Sequence, residues 1–282
     1  MADKTTRREF FKTASVGFAA GALVSVNCAG PEPTTIKDGY KCLNLGMASY
    51  TFRKFSLEDT LEMTNRVGLK WIAFKSMHLP LESTEDEIKA VVTKVKEAGL
   101  ELYGCGVVYM SNEDQVHQAF DYAKYADMKV IIGVPEHNLL ELVNKKVQEY
   151  DIKLAIHNHG PGDERYPSAQ SAYDKIKDMD PRMGLCIDIG HTKRIGIEPS
   201  EDVEMFSDRL HDIHIKDVSE ASAKGSAVEA GRGVIDIPKF LRILLKINYS
   251  GVVSLEYEKD AGDPLPGAAE SIGYFKGVLS VI

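Results

Sequence analysis

The sequence predicts an α/β fold, a single (β/α)8 TIM barrel. Three observations predict it. From Leu43 to the C-terminus, short apolar runs alternate with helix-length amphipathic segments, eight times over. That stretch, about 240 residues, is the size of one such barrel. Several of the runs are apolar almost throughout, as parallel strands covered on both faces must be. Finally, the later runs end in ionisable side chains, and a barrel gathers its strand ends at one face. A doubly wound open sheet is the alternative, but it needs fewer units, and no GxGxxG follows the first run.

The elements follow in order. The first strand covers residues 45–52. Ser56 with Asp59 forms a capping box for a helix to Val67, stopped at Gly68. Residues 70–74 are the second strand. Ser83 caps a helix whose Ile88, Val91, Val92 and Val95 share one face, with Gly99 as its stop. The third strand is 100–108, followed by a helix over 114–126. The fourth is 129–134, followed by a helix over 136–150. Residues 152–156 form the fifth and run into His157-Asn158-His159-Gly160. A helix over 168–179 precedes the sixth strand at 183–187, and a helix around 199–207 precedes the seventh at 210–215. Pro238 opens a helix to Lys246, where its missing N–H costs little. The eighth strand is 252–255, and the last helix is 264–279.

Residues 1–27 read as an address rather than as fold. Thr6-Arg7-Arg8-Glu9-Phe10-Phe11-Lys12 resembles a twin-arginine export signal and precedes a mildly apolar stretch from Ala14 to Val26. That stretch is too short, and too rich in Gly and Ala, for a transmembrane helix. A cytosolic basic tail is the plainer alternative. Cys28 follows at a loose lipoprotein-type site, so the expectation is an exported protein, periplasmic or membrane-anchored, with any membrane contact through a lipid on Cys28. Simple cleavage and an uncleaved anchor are the other outcomes. Residues 28–42 read as a tether and 43–282 as the catalytic domain.

The formal net charge is −8, and it becomes more negative once the basic N-terminal segment is set aside. That argues against a nucleic-acid surface and favours neutral or cationic small ligands. Cys28, Cys42, Cys105 and Cys186 show no CxxC spacing. Cys105 and Cys186 lie in apolar runs and read as small buried hydrophobes.

The chemistry lies at the strand ends. Strand five ends in His157 and His159, strand six in Asp188 and His191, strand seven in His214, Lys216 and Asp217, and strand eight in Glu256 and Glu258. Ionisable groups in such places are costly unless paired or bound to something. Apolar walls for a small ligand are expected from Tyr50, Phe52, Trp71 and Tyr109, and His78 is expected to reach the mouth. Arg232, in a Gly-flanked loop, is either an anion contact or a solvated charge. Removing a proton α to a carbonyl, one chemistry such a set could serve, needs a Lewis acid for the developing charge and a base within reach of the C–H. Glu256, His159 and Lys216 are the candidate bases. Each also has a plainer reading, in which the carboxylates pair with Lys216 or Arg232 and the aromatics only pack.

The set Asp188-x-x-His191, His214-x-Lys216-Asp217, Gly231-Arg232-Gly233-Val234-Ile235-Asp236 and Glu256 resembles the xylose isomerase-like TIM-barrel superfamily, in its sugar phosphate isomerase and epimerase branch. The resemblance covers the barrel from Leu43 onward. It implies one divalent metal held by Asp188, His214 and Glu256, with His191 on a substrate oxygen. It also implies a fourth ligand on strand five, usually a Glu in a Glu-Asn-His-Gly pattern. Here the residue is His157. A ligand set of two imidazoles and two carboxylates suits Mn, Zn, Co or Fe better than Mg. The expected function is a metal-dependent isomerase or epimerase acting on a small sugar through an enediolate. A lyase acting on a keto-sugar or 3-keto-glycoside is the alternative. A metal-dependent endonuclease and a non-catalytic sugar-binding barrel are more remote.

Overall fold

The computed structural model describes residues 43–282. The export signal expected in residues 1–27 and the tether expected in 28–42, with Cys28 and Cys42, lie outside the described residues. Eight parallel strands close into a barrel: β1 (Asn44–Ala48), β2 (Trp71–Phe74), β3 (Glu101–Met110), β4 (Val130–Pro135), β5 (Lys153–His157), β6 (Met183–Asp188), β7 (Leu210–Ile215) and β8 (Val252–Leu255). They pair in chain order, and β8 closes onto β1. Met47, Ile72, Ile131, Leu154, Leu185, Ile213 and Val253 are fully buried. The helices cover the outer faces, so strands such as β4 and β6 have no solvated side. Cys105 and Cys186 are free buried thiols, as their apolar surroundings indicated. Among the described residues no helix is long and apolar enough to cross a membrane.

Most expected boundaries hold to within a few residues, and the exceptions have local causes. β1 stops at Ala48 and a 3₁₀ turn, Ser49–Phe52, follows. There Ser49 Oγ accepts the backbone N–H of Lys75 at 2.8 Å, which pulls the chain off the ladder. The cap of the helix Glu85–Glu97 is Thr84, one residue later than expected, because Glu87 stands three residues on and closes the capping box. β3 runs on to Met110, past a register shift against β4 between Cys105 and Val108.

Two further elements were not anticipated. A short helix, Ile189–Arg194, begins immediately after β6, where the Asp188 side chain accepts the N–H of His191 at 2.8 Å. A two-residue antiparallel ladder, Asp217–Val218 with Ala227–Val228, follows β7. Asp217 organises the loop beyond it. Its carboxylate accepts the N–H groups of Val218, Gly231, Gly233 and Ile235 at 2.9, 2.9, 3.0 and 3.2 Å.

Candidate active site

The ends of β5 to β8 bring four buried donors to one level. His157 and Asp188 are the last residues of their strands, and Asp188 and Ser254 both pair in register with His214. Glu256 follows β8 directly, its N–H donating to the Ile215 carbonyl at 3.0 Å. His157 Nε2 is 3.1 Å from His214 Nδ1 and 3.5 Å from Asp188 Oδ2, and His214 Nδ1 is 3.3 Å from Glu256 Oε2. One ligand atom from each of the four lies within 4.8 Å of the others. Two donors on one ion at about 2.1 Å stand roughly 3.0 Å apart at a right angle and roughly 3.4 Å apart at the tetrahedral angle. The residues present therefore fit a divalent metal, in spacing and in donor type.

The charges around this cluster are offset from within by a single buried cation. Lys216 Nζ lies 2.9 Å from Asp188 Oδ2 and 2.7 Å from Glu256 Oε2, and it also pairs with Glu258. Burial alone would discharge this ammonium, but the three carboxylates hold its pKa well above the usual lysine range. Burial works against Asp188 and Glu256 too, and the Lys216 charge outweighs it, so both stay ionised. Burial pushes His157 down to about 3, which leaves its imidazole neutral and its lone pair available. His214 is also disfavoured by burial, but Glu256 overcomes this and raises it. An ammonium committed to three carboxylates is a poor general base, so Lys216 serves this cluster as its internal counter-ion.

His159 and His191 stand beside the cluster. The His159 ring is 4.5 Å from that of His157, and the His191 ring is 5.9 Å from it, centroid to centroid. His159 Nε2 shares a 3.0 Å hydrogen bond with the Tyr109 hydroxyl across the mouth, while Nδ1 faces Asp163 Oδ2 at 3.9 Å. Burial lowers the His159 pKa, and neighbouring His191 lowers it further. Asn158 ties the two strand ends together, accepting the Asp188 N–H at 2.9 Å and donating to Thr192 at 3.3 Å. Gly160 has φ +75°, and a Cβ there would stand 2.9 Å from the His191 carbonyl oxygen, so the close approach of the two loops requires glycine.

The other expected residues divide. Tyr50 and Tyr109 do face the mouth, bracketing the ammonium of Lys75 at 5.9 and 5.7 Å from their ring centroids. Phe52 is wholly buried in its turn. Trp71 opens β2 and so lies at the opposite end of the barrel, lining a cavity with Lys96, Asp127 and Lys129. His78 does not reach the mouth. It is buried, with Nε2 3.0 Å from Thr60 Oγ1 and Nδ1 2.9 Å from Ser49 Oγ. Arg232 is exposed and forms a bidentate pair with Glu270 at 2.6 and 2.7 Å, away from the cluster. Lys75, directly after the second apolar run, was not among the expected residues.

Known proteins match this chain along most of its length. An inosose dehydratase from Clostridium botulinum is 26% identical over 250 residues, covering 80% of this chain and 81% of that one. Among solved structures, an uncharacterized protein from Parabacteroides distasonis superposes with a TM-score of 0.66 at 24% identity, covering 83% of this chain and 98% of that one. The 3-keto-D-glucoside 4-epimerase of E. coli superposes with a TM-score of 0.67 at 14% identity, covering 83% and 99%. The profile of the xylose isomerase-like TIM barrel matches residues 56–278, and the chain belongs to that family.

Proposed function

We propose that this protein is a metal-dependent lyase that removes the α-proton of a keto-sugar and expels a β-substituent. His157, Asp188, His214 and Glu256 would hold the metal, which when bound supplies a Lewis acid for charge developing on a substrate oxygen. The observation that carries the reading is His157 itself. In the sugar epimerases that this sequence resembles, two glutamates flank the substrate. Here one of those places is a buried imidazole, and Glu256 is already engaged by Lys216 and His214.

The proton then falls to His159. Its Nε2, facing Tyr109 across the mouth, takes the α-proton, and the electron pair of the C–H bond passes into the enediolate. Asp163 beside Nδ1 stabilises the imidazolium that results. As the enediolate collapses, the β C–O bond breaks, and the oxygen leaves with the proton that the His159 imidazolium returns to it, while His191 beside it is placed to hold a substrate oxygen. The inosose dehydratase relatives support elimination over isomerisation. Isomerisation or epimerisation is the second reading, favoured by the position of His159 just after β5 and Glu256 just after β8 at two sides of one mouth. Within the same proposal, the twin-arginine-like stretch and Cys28 support an exported enzyme acting on a free rather than a phosphorylated sugar.

The deciding experiment incubates the Mn-loaded protein with inososes, free ketoses and 3-keto-glucosides in D₂O. Elimination releases water or an aglycone. Deuterium uptake with retained composition supports epimerisation instead, and no turnover or exchange on any of them sinks both readings.

A further inference from the structure

Lys75 follows the last residue of β2, and β2 lies directly across the eight-stranded ring from β6, which carries Asp188. The ammonium is half-buried. One protein contact is a hydrogen bond to the Val107 carbonyl at 2.8 Å. No carboxylate lies within ion-pair distance of it among the described residues. Arg53 and Arg165, the other cations over the Tyr50 and Tyr109 rings, are provided for. Arg53 donates to the Tyr50 and Glu258 carbonyls at 3.2 and 2.7 Å, and Arg165 pairs with Glu136. Lys216, more deeply buried, has three carboxylates. An ammonium has three donors, and the hydrogen bond to Val107 uses one of them, so Lys75 has donors to spare.

Its setting is costly and constructed. Charged groups withdrawn from water are normally paired, and this one is not. Burial lowers its pKa, and the negative charge of Glu256 raises it partly back, so the group feels the cluster without touching it. The position is also supported from behind. His78 holds Ser49 Oγ, and Ser49 Oγ accepts the Lys75 backbone N–H. In front, β3 shifts register between Cys105 and Val108, within the stretch that carries the accepting Val107 carbonyl. A cavity of about 340 Å³, lined in part by Lys75, Val107 and Tyr109, adjoins the strand end. The Tyr50 and Tyr109 rings flank the ammonium on two sides.

We propose that Lys75 is a substrate-binding residue whose ammonium donates to an oxygen of a keto-sugar seated between Tyr50 and Tyr109, opposite the His157–Asp188–His214–Glu256 cluster. This assignment rests on the sugar reading above and adds a second point of attachment to it. The metal cluster and the neighbouring imidazoles act at the reacting carbons. Lys75 holds a remote oxygen and fixes which carbon is presented to His159.

The test compares wild type, Lys75→Met and Lys75→Arg, each loaded with Mn. Binding of methyl 3-keto-α-D-glucoside and of D-tagatose is measured by titration calorimetry, and the metal-free proteins are melted in parallel. Loss of a charge-assisted hydrogen bond weakens binding about tenfold to hundredfold. The expectation is that loss in Lys75→Met, partial recovery in Lys75→Arg, Mn content equal to wild type, and a metal-free Tm no lower than wild type. Binding by Lys75→Met within twofold of wild type overturns the assignment. So does a Tm more than about 4 °C lower, which marks a lysine that holds the fold. If wild type binds neither sugar, the sugar reading fails, and the melting curves alone then decide whether Lys75 is structural.

Discussion

Strands β5 to β8 end in four titratable side chains that touch one another, with a lysine locked among their carboxylates. Strands β1 to β3 lead into two tyrosines and a lysine that meet ring faces and a backbone carbonyl. Both halves stand at the same end of the same barrel, and both withdraw an ammonium from water. One half compensates its charges internally, and the other leaves them for a ligand. The difference separates chemistry from recognition. Loss of a group in the first half upsets a balance of charges and the fold with it, whereas the second half can be altered with little effect on folding.

The sharpest break in that contrast is Asp188→Ala. It removes both a metal donor and a partner of Lys216. Bound metal, measured by elemental analysis, should be lost, and turnover should fall by more than about 100-fold. Trp71→Phe, at the far end of the barrel, should leave both within twofold. Lys216→Met comes next. It leaves Asp188 and Glu256 buried without their cation, and breaking such an arrangement costs about 3 kcal/mol, which is roughly 6–12 °C in Tm. Added Mn should recover more of the variant's Tm than it adds to wild type. An unchanged Tm in the metal-free variant would remove Lys216 as the counter-ion.

Acid titration separates the two ends of the barrel. Burial depresses His157 to about 3, and burial with the Lys153 charge depresses His211 to about 4, both from 6.5. The folded state then refuses a proton that the unfolded state accepts. The stability these groups contribute is full above pH 6.5 and is lost as the pH falls toward 4 and then 3. His211→Asn should flatten that loss in denaturant melts between pH 6.5 and 4 and leave Mn binding unchanged. The smallest effect belongs to Tyr109→Phe. It removes the hydrogen bond to His159 Nε2 and should slow turnover about twofold to tenfold, with Tm unchanged.

What the sequence made legible was the part written in period and spacing. Eight alternations of apolar run and amphipathic segment located every barrel strand, and the polar residues after runs five to eight located His157, Asp188, His214 and Glu256. The misses share a cause, which is direction. Trp71 was placed at the mouth because it lies in the second strand, but it begins that strand, and in a barrel the first and last residues of a strand face opposite ends. His78 and Arg232 were read by residue type, and their partners, Thr60, Ser49 and Glu270, are distant in sequence. Asp217 looked like a site residue by its place in His214-x-Lys216-Asp217, yet its two oxygens are used up by four backbone N–H groups. Lys75 was invisible for the converse reason. A lone lysine after a strand is ordinary until the absence of a carboxylate beside it can be seen.

The lysine lodged between Asp188 and Glu256 has a consequence for the order of events in the life of this chain. Proteins whose metal ligands repel one another when empty must acquire the ion as they fold, and the ion present at that moment is the one they keep. Here Lys216 already offsets part of the charge of the donor set, so the barrel can close first and any ion can enter afterwards. The entering ion then competes with a tethered ammonium rather than with an unfolded chain. Which metal such a site would carry then becomes a property of the compartment where loading takes place.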